Sequence, residues 1–218
     1  MRKPSLAILI SGRGSNMLAI AAACARGALP AEISAVISDQ SDAAGLAAAR
    51  DLGLRTVTLS APDDAPRTPW RTIEPRLASA LIALQPDVIA LAGFMRVLSA
   101  ELVTRYEGRM LNIHPSLLPA YRGLHTHRRV LEAGELLHGA SVHFVVPELD
   151  AGPAVLQARV PVHAGDDEAS LSGRVQTAEH IIYPRAIGWL AAGRLSYREN
   201  RAWFDGRPLD APIVEDFA

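Results

Sequence analysis

Asn112 and His114, two residues apart at the end of the apolar run RMLNIHPS, have types and spacing that suit acyl chemistry. In a strand, residues i and i+2 share a face, so both side chains project the same way while Ile113 turns into the core. Pro115 ends the strand and leaves His114 at its carboxyl end, where open parallel sheets hold their ligands. An amide N–H and an imidazole N–H can each donate to the oxyanion that forms when a nucleophile attacks a carbonyl. A later turn, ELDAGP, offers Asp150 at a comparable edge of the sheet. A carboxylate near an imidazole favours the protonated ring and fixes its orientation, giving a general acid that can later take up a proton. Spacing alone leaves plainer readings open: Asn-x-His as a structural pair at a strand end, and Asp150 as a turn aspartate before Ala-Gly-Pro.

A second candidate is Gly12-Arg13-Gly14-Ser15-Asn16, between an apolar strand and a helix. Unpaired N–H groups at a helix N-terminus bind anions, glycines allow close backbone approach, and Ser15 and Asn16 add side-chain donors. The dinucleotide fingerprint is incomplete, with Met17 at its third glycine position, and the Walker pattern is absent, so a phosphate of a small ligand fits better than a dinucleotide. The alternative is a tight turn with Asn16 as helix N-cap.

The elements that must carry these residues alternate. Leu6–Ile10 reads as a strand, 16–28 as an alanine-rich helix, 33–38 as a strand, 43–52 as a helix and 54–59 as a strand. The proline-rich stretch 61–70 reads as a loop, followed by a helix over 71–84, a strand over 86–93 and a short helix from Ser99 to Tyr106. The strand 109–114 precedes an irregular segment, a helix over 125–132, and strands over 140–146 and 154–162 in the pattern of a hairpin or sheet edge. A last helix, 168–190, with a bend expected at Pro184 if anywhere, leads into a tail hairpin. This alternation predicts an α/β fold, doubly wound, with a mostly parallel central sheet and helices on both faces. The 218 residues suit one domain, 1–218.

A formal net charge of −1 supplies no field for a polyanion, so no nucleic-acid partner is expected. The N-terminal apolar run of about six residues is too short for a signal peptide or a membrane span. The one cysteine, Cys24, permits no internal disulfide and reads as a small core residue, which fits a reducing cytoplasm. His125 and His127 have poor metal-ligand spacing on a helix, and no metal is expected. His143 reads as a hydrogen-bonded supporting group or as a residue without a role, and His138, His163 and His180 as surface or packing residues.

SGRGSN, LAGFMRVLS, RMLNIHPSLLPAYRGLHTHR, GASVHFVVPELDAGP and VQTAEHIIYP together, in order and spacing, resemble the glycinamide ribonucleotide formyltransferases of purine biosynthesis, over about residues 6–205. NIHPSLLP, SVHFV and D-x-G-P are shared by folate-dependent formyltransferases and deformylases, whereas SGRGSN and QTAEH resemble the narrower phosphate and ribose contacts. The resemblance implies a Rossmann-like formyltransferase fold, 10-formyltetrahydrofolate as co-substrate and glycinamide ribonucleotide as acceptor. It implies a catalytic set of Asn112, His114 and Asp150, with a phosphate loop at Gly14, Ser15 and Asn16. Glu179 would take the ribose hydroxyls, with Gln176 three residues earlier on the same helical face. Met95, Val97 and Leu98 would line the folate pocket, Arg96 would face the carboxylate tail, and Val145 with the loop around Glu148 would close over the pterin. Residues 1–100 would form the nucleotide and phosphate half, and 101–218 the catalytic and folate half. A homodimer is left open.

The chain departs from the pattern at Ala151, where a glycine is common, at Pro147, which stiffens the same loop, and in 61–70, where an arginine for the folate tail is often found; Arg67 and Arg71 are the local candidates. Two other readings compete. A formyltetrahydrofolate hydrolase would use water as acceptor, but such enzymes usually carry an added N-terminal domain and lack SGRGSN. A non-catalytic binding module would have no need of all three candidate catalytic residues. Transfer to a charged tRNA is disfavoured by the weakly acidic balance.

Overall fold

A computed structural model describes residues 2–60 and 68–218. The elements are β1 (Ser5–Ile10), α1 (Ser15–Ala25), β2 (Glu32–Ser38), α2 (Ala44–Asp51), β3 (Thr56–Thr58), α3 (Trp70–Leu84), β4 (Val88–Leu91), α4 (Ala100–Arg105), β5 (Met110–His114), α5 (Thr126–Ala133), β6 (Leu137–Phe144), β7 (Ala154–Pro161), α6 (Glu168–Ala191), β8 (Leu195–Arg198), β9 (Arg201–Phe204), β10 (Arg207–Pro208) and β11 (Ile213–Asp216). Most of the loop expected at 61–70, with Arg67, lies outside the described residues.

The main sheet has the order β11-β7-β6-β5-β4-β1-β2-β3. Its β5–β6 and β6–β7 pairings are antiparallel, and the others are parallel. The apolar runs in its central strands follow from burial on both faces. Leu6, Ile8 and Ile10 of β1 pack with α1, α2 and α6, whereas Ala7 and Leu9 pack with α3 and α4. In β5, Leu111 and Ile113 join the first layer and Met110 the second, so Asn112 and His114 share the face of Met110.

Three details differ from the sequence reading. The tail is a three-stranded sheet rather than a hairpin, and the chain then returns so that β11 extends the main sheet parallel to β7. That partner is remote, and nothing local in residues 213–216 signals it. The helix α1 starts one residue early with Gly14 as its N-cap at φ 74°, so Asn16 is not a cap. Its amide goes to another element instead. Finally, α6 is continuous for 24 residues through Pro184. An Asp167–Ser170 capping box starts this helix, and the buried Tyr183 hydroxyl lies 2.9 Å from both the Leu91 and Leu111 carbonyl oxygens. Those contacts tie α6 to β4 and β5, the strands that lead into the site.

Candidate active site

At the carboxyl ends of β4 and β5 lies a cavity of about 490 Å³. Asn112, His114 and Asp150 all line it, as do Met95, Arg96, Val97, Leu98, Val145 and Glu148. Met95 and Val97 are 67% and 60% exposed, an apolar lip suited to a flat aromatic ring. Asn112 and His114 reach the cavity from strand alternation. Asp150 reaches it because the turn after β6 bends back, with Asp150 itself at φ 50°.

The His114 ring is held from both sides. Its Nε2 lies 3.0 Å from the Tyr121 carbonyl, which can only accept, so Nε2 carries a proton. The remaining nitrogen, Nδ1, lies 3.5 Å from Asp150 Oδ2. The same Oδ2 accepts the Gly123 backbone N–H at 3.0 Å, which anchors the carboxylate from the loop opposite. An imidazole whose free nitrogen faces a buried carboxylate can hold a proton at that atom and release it there.

Asn112 is oriented by a residue that sequence reasoning left undecided. His143 Nδ1 donates to the Phe144 carbonyl at 2.9 Å, so the neutral ring has Nε2 as an acceptor, 3.1 Å from Asn112 Nδ2. Burial pushes the His143 pKa down to about 4, which keeps the ring neutral near pH 7. The pairing follows from the antiparallel register, in which Asn112 faces His143 and His114 faces Ser141. The amide is thereby fixed with its N–H₂ group toward His143 and one N–H to spare.

The glycine-loop residues meet α6. Ser15 Oγ accepts from Gln176 Nε2 at 3.0 Å, and Asn16 Nδ2 donates to Glu179 Oε2 at 2.8 Å, joining residues 163 apart in sequence. Burial pushes the Glu179 pKa up to about 7, against the opposing pull of the Asn16 amide. Asn16 Oδ1 is buried without a partner among the described residues, an acceptor available to a ligand donor. Gly14 is required here. A Cβ would sit 2.9 Å from Gly45 Cα, at a φ that side chains seldom adopt.

Other expected positions fall as follows. The Arg96 Nε donates to the buried Asp39 carboxylate at 2.6 Å, so the guanidinium stem turns toward β2 as well as lining the cavity. His127 Nδ1 lies 3.0 Å from His138 Nε2, and burial lowers both pKa values, that of His138 to about 4. His138 is thus a buried packing residue with a partner, whereas His125 is exposed at the start of α5. Among the described residues no three His, Cys, Asp or Glu side chains converge as metal ligands, and no helix is long and apolar enough to cross a membrane. Sequence reasoning missed Tyr121 and Gly123, which act through backbone atoms that carry no residue-type signal, and Asp39.

The formyl transferase family profile matches residues 5–187. The chain belongs to the formyl transferase family. It is 51% identical to a phosphoribosylglycinamide formyltransferase of Escherichia coli (strain K12), over 94% of this chain and 95% of that protein. It is 40% identical to one of Haemophilus influenzae, with the same coverage of each chain. Among solved structures, a phosphoribosylglycinamide formyltransferase from Coxiella burnetii superposes with a TM-score of 0.90 at 44% identity, covering 98% of this chain and 99% of that one.

The formyl transferase turn D-x-G-P accommodates Ala151 without backbone strain. The left-handed residue is Asp150, and Ala151 is not among the positive-φ positions. Gly152 is the position with no room, since a Cβ would fall 1.8 Å from the Phe144 carbonyl oxygen. The glycine missing at 151 is therefore dispensable to this turn, whereas the one at 152 is needed.

Proposed function

We infer that the chain transfers the formyl group of 10-formyltetrahydrofolate to the primary amine of glycinamide ribonucleotide, yielding formylglycinamide ribonucleotide in purine biosynthesis. The amine nitrogen attacks the formyl carbon, a tetrahedral oxyanion forms, and the bond to the folate nitrogen breaks. One proton leaves the amine and one arrives on the departing nitrogen. Asn112 Nδ2 and His114 Nδ1 donate to the oxyanion, and Asp150, beside that ring nitrogen, orients the imidazole and relays the proton through water. The observation that carries this reading is His114 clamped between the Tyr121 carbonyl and Asp150 on the wall of an apolar-lipped cavity.

The pterin occupies that cavity, with Met95, Val97, Leu98 and Val145 against its faces and Glu148 at the turn above. Arg96 serves the carboxylate end. The ribonucleotide phosphate sits on the backbone N–H groups of Gly14, Ser15 and Asn16 with Gln176 beside them, and Glu179 accepts from the ribose hydroxyls. Both halves of the 1–218 domain contribute to both pockets. The single free cysteine accords with a cytoplasmic setting. Incubation with both substrates gives formylated product and tetrahydrofolate. Formate release without amine would instead mark a hydrolase, and absence of product with fresh folate would overturn the reading.

A further inference from the structure

One buried charge is left without a role by the chemistry above. Asp39, 1% exposed, follows β2 and collects groups from three neighbouring strand ends. Its Oδ1 accepts from Ser11 Oγ at 2.6 Å, at the end of β1, and its Oδ2 accepts from Arg96 Nε at 2.6 Å, beyond β4, and from Gln40 Nε2 at 2.8 Å. Its carbonyl accepts from Ser60 Oγ at 2.5 Å, beyond β3. Ser11 Oγ in turn accepts the Met95 backbone N–H at 2.8 Å.

Ser11 opens the loop that holds Gly14, Ser15 and Asn16, and Met95 and Arg96 belong to the segment that lines the folate cavity. In the sheet, β1 lies between β4 and β2, so a side chain from the end of β2 must pass over the end of β1 to reach the segment after β4. Asp39 makes that crossing. A carboxylate can accept several hydrogen bonds at once, which a neutral apolar residue in the same space cannot. We propose that Asp39 is a positioning residue that holds the ribonucleotide loop and the folate loop in one fixed relation, so that both substrate pockets depend on it although it touches neither substrate. This rests on the assignment of the two pockets under the proposed function.

The test compares Asp39→Ala and Asp39→Asn with the wild-type chain. In amide hydrogen exchange of the ligand-free protein, Asp39→Ala should speed exchange at least about fivefold in both 11–16 and 93–98 and leave α6 unchanged. In steady-state kinetics it should raise KM for both substrates about tenfold while kcat stays within about threefold. Asp39→Asn keeps an acceptor for Arg96 and a polar partner for Ser11, and should restore most of both effects. Faster exchange in only one segment, a rise in only one KM, or no recovery in Asp39→Asn overturns the proposal. A wild-type chain without transferase activity would sink the functional reading, while the exchange arm would still decide whether Asp39 joins the loops.

Discussion

Asn112 Nδ2 stands 3.1 Å from His143 Nε2, and because His143 Nδ1 is spent on the Phe144 carbonyl, this histidine can only accept from the amide. The proton inventory of one buried ring therefore sets which end of Asn112 faces its neighbour. An amide flipped by half a turn would present oxygen where the oxyanion needs a donor.

His143→Leu keeps volume and removes the acceptor. Its kcat should fall about 10- to 100-fold with both KM values within about threefold, since orientation is lost and binding surface is kept. Asn112→Ala should cost about two to three orders of magnitude. The double variant should fall short of the product of the two, because both act through one amide. A His143→Leu enzyme with wild-type kcat would show that Asn112 orients itself.

Asp150→Asn can keep its oxygen at the Oδ2 position, 3.0 Å from the Gly123 nitrogen and 3.5 Å from His114 Nδ1, with its amide nitrogen at the Oδ1 position beside His143, but the negative charge is gone. A neutral amide beside Nδ1 cannot take up the proton that the carboxylate would relay. Turnover should drop by about two orders of magnitude or more, while ribonucleotide affinity measured by calorimetry stays within about threefold. Full activity in Asp150→Asn would remove this carboxylate from the proposed chemistry.

Glu179 carries a pKa of about 7 in the fold against 4.5 for a free carboxyl, with burial as the leading cause. An acid whose pKa is raised by folding binds protons more tightly in the native state, so its stabilising share is present below about pH 4.5 and is lost as pH climbs toward 7. Glu179→Gln has no such dependence. In urea unfolding, its stability relative to wild type should rise across that window to a plateau on the order of 3 kcal/mol above pH 7. Ribonucleotide affinity should fall at least about tenfold. A pH-independent difference would mean that Glu179 is already ionised in the free enzyme.

Gly14→Ala places a methyl group 2.9 Å from Gly45 Cα and forces a side chain into a left-handed conformation. Denaturant unfolding should show a loss of about 1–3 kcal/mol. Ribonucleotide binding should weaken with it, since the first turn of α1 must move aside. Folate-analogue binding should change less.

How much of this was legible beforehand can be followed residue by residue. The shared face of Asn112 and His114, the buried runs of β1, β2 and β4, and a last helix starting near Glu168 all follow from periodicity and local residue types. Those signals act over four or five residues, so a linear reading captures them. The glycine loop was legible as a loop, but the choice between Asn16 as a cap and Asn16 as a ligand contact stayed open, because its partner, Glu179, lies 163 residues away.

What the chain order determined, then, was the alternation of strands and helices and the residue types delivered to the strand ends. Tertiary structure alone decided that Asp150 turns back to His114, that the Tyr121 carbonyl claims Nε2, that His143 orients Asn112 and that β11 closes the sheet. Each of these is a contact between segments whose local preferences are silent about one another. Burial then sets the protonation of His143 and Glu179, because desolvation depends on everything packed around a group and not on its neighbours in sequence.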